Sequence, residues 1–191
     1  MTGNLFLFAR SAPNDSAAAA TKKTEAEAML IERVGAGDEE AFAAFYRMFA
    51  PLVHGIVLAR APRDEVDDIV QEVFIAAYQN LHTLRDKTAI GAWLATIARN
   101  RATEFYRRAK PTEELSDEIR ENQRPLTEAN EILTAIRALP DNYKEPLVLR
   151  LIEGMTGVEI AERIGLTPES VRVNLHRGMK LLRRSLGIEV K

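Results

Sequence analysis

Cysteine is absent from the 191 residues, which excludes disulfides, thiolate metal ligands and cysteine nucleophiles and suits a reducing cytoplasm. Histidine is scarce: His54, His82 and His176 stand far apart, in no metal-ligand or triad spacing. Core, surface or DNA-facing roles are expected of all three. The chain also lacks a phosphate-binding glycine loop and a nucleophile constellation, so neither enzymatic activity nor a cofactor is expected. No apolar run approaches the ~20 residues of a membrane span. The opening LFLFAR is too short for a secretory signal and has no basic residues before it. Strand-like alternation of useful length is missing throughout. The formal net charge is only -2, so any affinity for nucleic acid must come from local patches.

What is present is helical punctuation, densest in TGVEIAERIGLTPESVRVNLHRGMKLL, Thr156 to Leu182. Thr156 and Glu159 have the spacing of a capping box, in which each side chain satisfies an orphan amide of the first turn. Ile160, Ala161 and Ile164 form one apolar face, and Gly165 supplies the positive φ that ends the helix. Thr167 and Pro168 restart the chain as N-cap and first helical residue. Val171, Leu175, Gly178, Leu182 and Leu186 line one side of the second helix, leaving Arg172, Asn174, Arg177, Lys180 and Arg184 on other faces. Such a pair is a helix-turn-helix, whose second helix enters a DNA major groove.

Charge along the chain marks the domain organisation. Residues 1–25, rich in Ala, Ser, Thr and Asn, read as a disordered tail. A first helical domain is expected over 26–110, an acidic linker over 111–127 and a second helical domain over 128–187. Around the linker, Glu113, Glu114, Asp117, Glu118, Glu121, Glu128 and Glu131 face Arg120 and Arg124, and Pro111 and Pro125 punctuate the stretch. Helical pattern resumes through Ile132, Ile136 and Leu139, with breaks at Pro140 and Gly154.

In the first domain Asp38 caps a helix whose Phe42, Phe45, Tyr46 and Phe49 form an aromatic stripe, read as core. Asp64 opens DEVDDIVQEVFIAAYQNL, in which Val66, Ile69, Val70, Val73, Ala77 and Leu81 make a buried stripe. Asp67, Asp68, Gln71 and Glu72 lie off it. A helix dipole explains carboxylates in a first turn, but Glu72 is two turns in, and an acidic ridge there suggests a basic protein partner. The next helix, from about Ile90 to Ala109, points Ile90, Leu94, Ile97 and Phe105 inward and carries Arg99, Asn100, Arg101, Tyr106, Arg107, Arg108 and Lys110 elsewhere. Cations among aromatic and amide groups suit a phosphate backbone beside unstacked bases. Trp93 is open to a packing role or to base stacking. The polar loop Leu84 to Ala89 is flexible enough to accept an extruded base.

DEVDDIVQEVFIAAYQNL, AWLATIARNRATEFYRR and ALPDNYKEPLVLRLIEGMTGVEIAERIGLTPESVRVNLHRGMKLLR, in this order and spacing, resemble the successive signatures of the extracytoplasmic-function sigma factors of the sigma-70 family. The resemblance covers roughly Glu25 to Leu186. It implies an all-α fold of two small helical domains, a σ2-like bundle and a σ4-like helix-turn-helix, joined by a flexible acidic linker. It implies a sigma factor that directs core RNA polymerase to specific promoters and assists promoter melting, controlled by an anti-sigma factor. The alternative is a helix-turn-helix regulator that binds DNA independently of core polymerase. Longer family members carry an extra C-terminal domain, which is not expected after Lys191.

The resemblance implies three sets of site residues. Asp67, Asp68, Gln71 and Glu72 would bind the polymerase clamp helices. Arg85, Asp86, Lys87, Arg99, Asn100, Arg107 and Arg108 would meet minus-ten promoter DNA. Pro168, Glu169, Ser170, Arg172, Val173, Asn174, His176, Arg177 and Lys180 would face the upstream element. Glu104 stands where the family usually has Asp, and Gly157 replaces a common aromatic. Val173, Asn174 and Met179 replace residues more usually polar or basic, which shifts reliance toward specific pairing such as Asn174 to an adenine edge. For the acidic linker two expectations stand together. It is a self-repelling tether, or it imitates RNA in the cationic channel that the family's linker threads.

Overall fold

The computed structural model describes residues 25–109 and 128–188. Residues 1–24, Lys110, the whole acidic linker and the Tyr106 side chain lie outside the described residues, and with them the expectations of disorder, tethering and RNA mimicry. Among the described residues there is helix and no strand. Helix α1 spans 25–35 and ends in a turn at Gly37, whose φ of 83° favours glycine. Asp38 then accepts a 3.0 Å hydrogen bond from the Ala41 amide and caps α2, Glu39–Leu58.

Helix α2 is the axis of the first domain. Phe45 and Phe49 are fully buried, with ring centroids 5.0 Å apart, and Phe74 meets Phe45 edge-on at 6.0 Å. Such pairs contribute about 0.5–1.5 kcal/mol beyond the area they bury. Phe42 is only partly buried and Tyr46 is exposed, so the aromatic stripe divides between core and rim. By length and composition α2 is apolar enough to cross a membrane, contrary to the expectation from the sequence, and half of that stretch is buried within the fold. It is apolar on several sides because three neighbours pack around it.

A single tight turn, Arg63–Glu65, leads into α3, Val66–Asn80. All six residues of the expected stripe, Val66, Ile69, Val70, Val73, Ala77 and Leu81, are buried. After a loop closed by turns at Leu81–Thr83 and Lys87–Ala89 comes α4, Ile90–Ala109. Its inner face is Ile90, Leu94, Ala95, Ala98 and Ala102, while Ile97 and Phe105 are only partly buried. The alanines let α4 lie close against neighbours on more than one side.

The second domain begins with α5, Glu128–Arg137, inside the window expected between Pro125 and Asn130. Leu133 and Ile136 of α5 are buried whereas Ile132 is exposed. Helix α6, Asp141–Leu151, follows Pro140. Helix α7, Gly157–Ile164, carries the complete capping box: Thr156 N–H donates to Glu159 at 2.8 Å, and Glu159 N–H to Thr156 Oγ1 at 3.2 Å. Gly165, φ 72°, closes it. Thr167 accepts from the Ser170 amide at 3.1 Å and starts α8, Pro168–Ser185, with Val171, Gly178 and Leu182 buried. A Cβ on Gly178 would stand 3.0 Å from Leu147 Cδ1 and 3.1 Å from Tyr143 Cβ, so glycine sets how closely α8 crosses α6.

The two domains do not stand apart. Helix α2 packs on α6 and α4 on α7, and one continuous apolar core runs through both. A Cβ on Gly55 would lie 2.7 Å from Leu149 Cδ2, and one on Gly91 3.0 Å from the Arg163 carbonyl oxygen. Missing side chains thus allow the close approach along this seam.

Candidate nucleic-acid interface

Helix α8 presents an exposed surface opposite its buried stripe. Pro168, Glu169, Ser170, Arg172, His176, Arg177 and Lys180 are exposed, with Val173 and Asn174 half-buried at the edge. The cap at Thr167 and the turn at Gly165 fix its N-terminal end against α7. Arg172 is held by Glu169 one turn earlier, Nε to Oε2 3.0 Å. That pair keeps the Glu169 carboxyl below the usual range. Both partners are largely exposed, so the pair is weak and easily exchanged for a phosphate.

The basic side of α4 is organised around Glu104. Arg101 and Arg108 reach its carboxylate at 3.0 and 2.8 Å, and Arg107 at 3.6 Å. The hydrogen bond from Arg108 leads the causes that hold its acidity below the ordinary glutamate value. Asn100, Arg107 and Arg108 are exposed. Arg99 is differently placed: its guanidinium donates to Glu145 of α6 at 2.8 and 2.9 Å.

In the loop before α4, Arg85 and Asp86 are exposed and Lys87 is half-buried in an ion pair with Glu32. Asp86 accepts from the Thr88 amide at 2.9 Å and from its hydroxyl at 2.6 Å. These bonds hold its carboxyl below the usual range and give it a local capping task. The loop and α4 enclose an open hollow whose walls include Leu84, Arg85, Ala92, Trp93 and Thr96. Trp93 packs in part on the core and also lines the hollow.

On α3, Asp67, Asp68, Gln71 and Glu72 are all exposed on the face opposite the buried stripe. Ile75 and Tyr78 continue that exposed face at 57% and 50%, so the ridge runs from acidic to apolar along one helix. The sequence reading missed both, and their signal is an apolar residue lying off the stripe in FIAAY. It missed Glu145 and Arg60 too. Arg60 stands as a lone charge in the apolar run IVLARAP, whereas Glu145, next to Lys144, carries no such signal. Among the described residues no cluster of His, Asp or Glu is placed to hold a metal.

Comparison with known proteins gives the family. Residues 45–112 match the family model of Sigma-70 region 2, and residues 129–182 that of Sigma-70, region 4. The chain is 30% identical over 176 residues to the ECF RNA polymerase sigma-E factor of Haemophilus influenzae, covering 82% of this chain and 93% of that one. The chain belongs to the extracytoplasmic-function sigma factors. A second relative, the ECF RNA polymerase sigma factor SigW of Bacillus subtilis, is 27% identical over 82% of this sigma factor and 94% of its own length. Two solved structures share the fold. CnrH in complex with the cytosolic domain of CnrY has a TM-score of 0.61 at 24% identity, over 85% of this chain and 97% of that one. The sigma factor RpoE of Bartonella quintana, in complex with the anti-sigma factor NepR, has a TM-score of 0.53 at 18% identity, over 78% and 98%. As a sigma factor, this protein directs core RNA polymerase to specific promoters and assists their melting. It is an initiation factor, and the alternative of a regulator independent of polymerase finds no support in these matches.

Proposed function

We propose a division of labour among the three surfaces of this sigma factor. The domain over 26–110 binds core polymerase through Asp67, Asp68, Gln71 and Glu72, with Ile75 and Tyr78 extending the contact. It meets minus-ten DNA through Arg85, Lys87, Arg99, Asn100, Arg107 and Arg108, and the hollow beside Trp93 receives an unstacked base. Asp86 shapes that loop. The domain over 128–187 reads the upstream element with the exposed N-terminal turns of α8. The protein works in the cytoplasm without chemistry of its own, and an anti-sigma factor holds it when transcription is not required.

The observation that carries this reading is the separation of the α8 surface from its anchor. Val171, Gly178 and Leu182 are buried while Arg172, His176, Arg177 and Lys180 face outward from the same rigid helix. That is the geometry by which a recognition helix reaches base edges. Reversing Asp68 and Glu72 to Lys tests the polymerase contact. Both are exposed, so the fold should survive while core polymerase binds more weakly in a pull-down. Undiminished capture of the folded double variant would remove the assignment.

A further inference from the structure

Glu145 is the most conspicuous charge in the seam between the domains. Its side chain is 6% exposed, on α6, amid the buried Pro146, Leu147, Val148 and Leu149. Two guanidinium groups of the other domain converge on it. Arg60, just past α2, donates to Oε1 at 2.7 and 2.9 Å, and Arg99 of α4 donates to Oε2 at 2.8 Å. A buried carboxylate gripped this way is stable only with both partners in place. The converse also holds: if α6 withdrew, two neighbouring cations would be left facing each other and would need another anion.

Arginine forks fit carboxylate and phosphate with the same bidentate geometry. Arg99 shares a face of α4 with Thr103 and Arg107, at successive turns. The hollow beside Trp93 is touched by closure as well: Ala92, in its wall, lies 3.2 Å from where a Cβ on Gly165 would be. Elsewhere the seam is fastened by Arg163 of α7, which pairs with the buried Glu27 at 3.1 Å and lies 4.5 Å over the Phe49 ring.

We propose that Arg60 and Arg99 form one phosphate site for promoter DNA, and that Glu145 occupies it as an internal substitute while the domains are closed. Closure and DNA binding then compete for the same two guanidinium groups, and the free chain is held back from promoters by its own second domain. The role of Arg99 in this inference rests on the minus-ten reading above, whereas Arg60 is assigned here for the first time. Opening is coupled to whatever draws α6 away, and core polymerase, which engages both domains, is suited to do so.

Two variants open the seam by unrelated means. Glu145→Gln removes the substitute anion at nearly constant shape. Gly55→Leu drives a side chain into Leu149 and leaves all three ionic groups intact. Because the chain has no cysteine, dyes can be placed on cysteines introduced at the exposed Gln79 and Ser185 of the full-length protein. Single-molecule energy transfer should report one closed population for the parent and a shift toward low transfer for both variants. Apparent affinity scales with the fraction of binding-competent molecules, so both should bind a short mixed-sequence single-stranded DNA about tenfold or more tightly. In the Gly55→Leu background, Arg60→Ala or Arg99→Ala should lose most of that gain. If both variants, shown folded by circular dichroism, keep the parent's transfer efficiency, the latch is wrong. If they open with no gain in affinity, or the gain survives loss of Arg60, the phosphate site is wrong. Undiminished minus-ten binding by the core complex of Arg99→Ala would instead overturn the promoter reading, and leave a closed-to-open shift in Glu145→Gln standing.

Discussion

At the scale of single residues, the upstream reading proposed above puts most weight on Asn174. It is half-buried between the exposed Arg172 and Arg177, where an amide both donates and accepts toward a base edge. Asn174→Ala should cost about 1–3 kcal/mol at one base pair and relax the preference there. Selection of binding sites by the parent and variant holoenzymes would show this, and an unchanged preference would remove the readout role. Glycines divide sharply by surroundings. Gly178→Leu should destabilise the protein by about 1–3 kcal/mol through overpacking, since Tyr143 Cβ and Leu147 leave no room. Gly157→Ala meets nothing closer than Val171 Cγ1 at 4.0 Å and should stabilise by about 0.5–1 kcal/mol through helix propensity. Thermal denaturation of the two variants should move the midpoint in opposite directions.

Among the elements, the seam between α2 and the end of α6 holds a titratable contact. His54 Nδ1 lies 2.6 Å from Glu153 Oε1. That hydrogen bond, above all, raises the imidazole above the ordinary histidine value of 6.5, against the effect of burial. The charges of Glu153 and Asp67 add to the rise, and Arg63 opposes it. A raised folded-state value means the proton favours the closed form. Its stabilisation is complete below about 6.5 and disappears as pH climbs through the raised value. The closed population of the parent should therefore fall across that window more than that of His54→Gln. A proton NMR titration of the His54 ring alongside energy transfer checks both, and parallel curves for the two proteins would dismiss the contact.

The same elements show what the amino-acid order discloses. Caps and turns were legible because they are local: Asp38, the Thr156–Glu159 box, Gly165 and Thr167–Pro168 act within a few residues of themselves. The α3 stripe was legible because a period of 3.6 residues follows from helix geometry. The seam was not. Gly55, Gly91 and the α4 alanines reveal a close approach only when the partner helix is known, and Glu145 reads as an ordinary surface acid until Arg60 and Arg99 are seen around it. The expectation of two helical domains on a linker does not include this contact between them. The sites split in the same way. The exposed residues of α3 lie on the face opposite its stripe as read, whereas Arg99 and Lys87 pair with Glu145 and Glu32 of distant elements and Asp86 caps its own loop.

For the whole molecule, the proposed division of labour puts polymerase binding, minus-ten contact and upstream readout on α3, α4 and α8, with the two domains closed at rest. In that reading these surfaces act only together with core polymerase. In-vitro transcription of a genomic fragment library by core polymerase, with and without the purified chain, tests this most directly. New transcripts should start at a common spacing downstream of a shared pair of sequence elements. They should appear only when both components are present and be lost with Asp68 and Glu72 reversed to Lys. Core-independent binding at the same sites, or no start beyond those made by core polymerase alone, would contradict it.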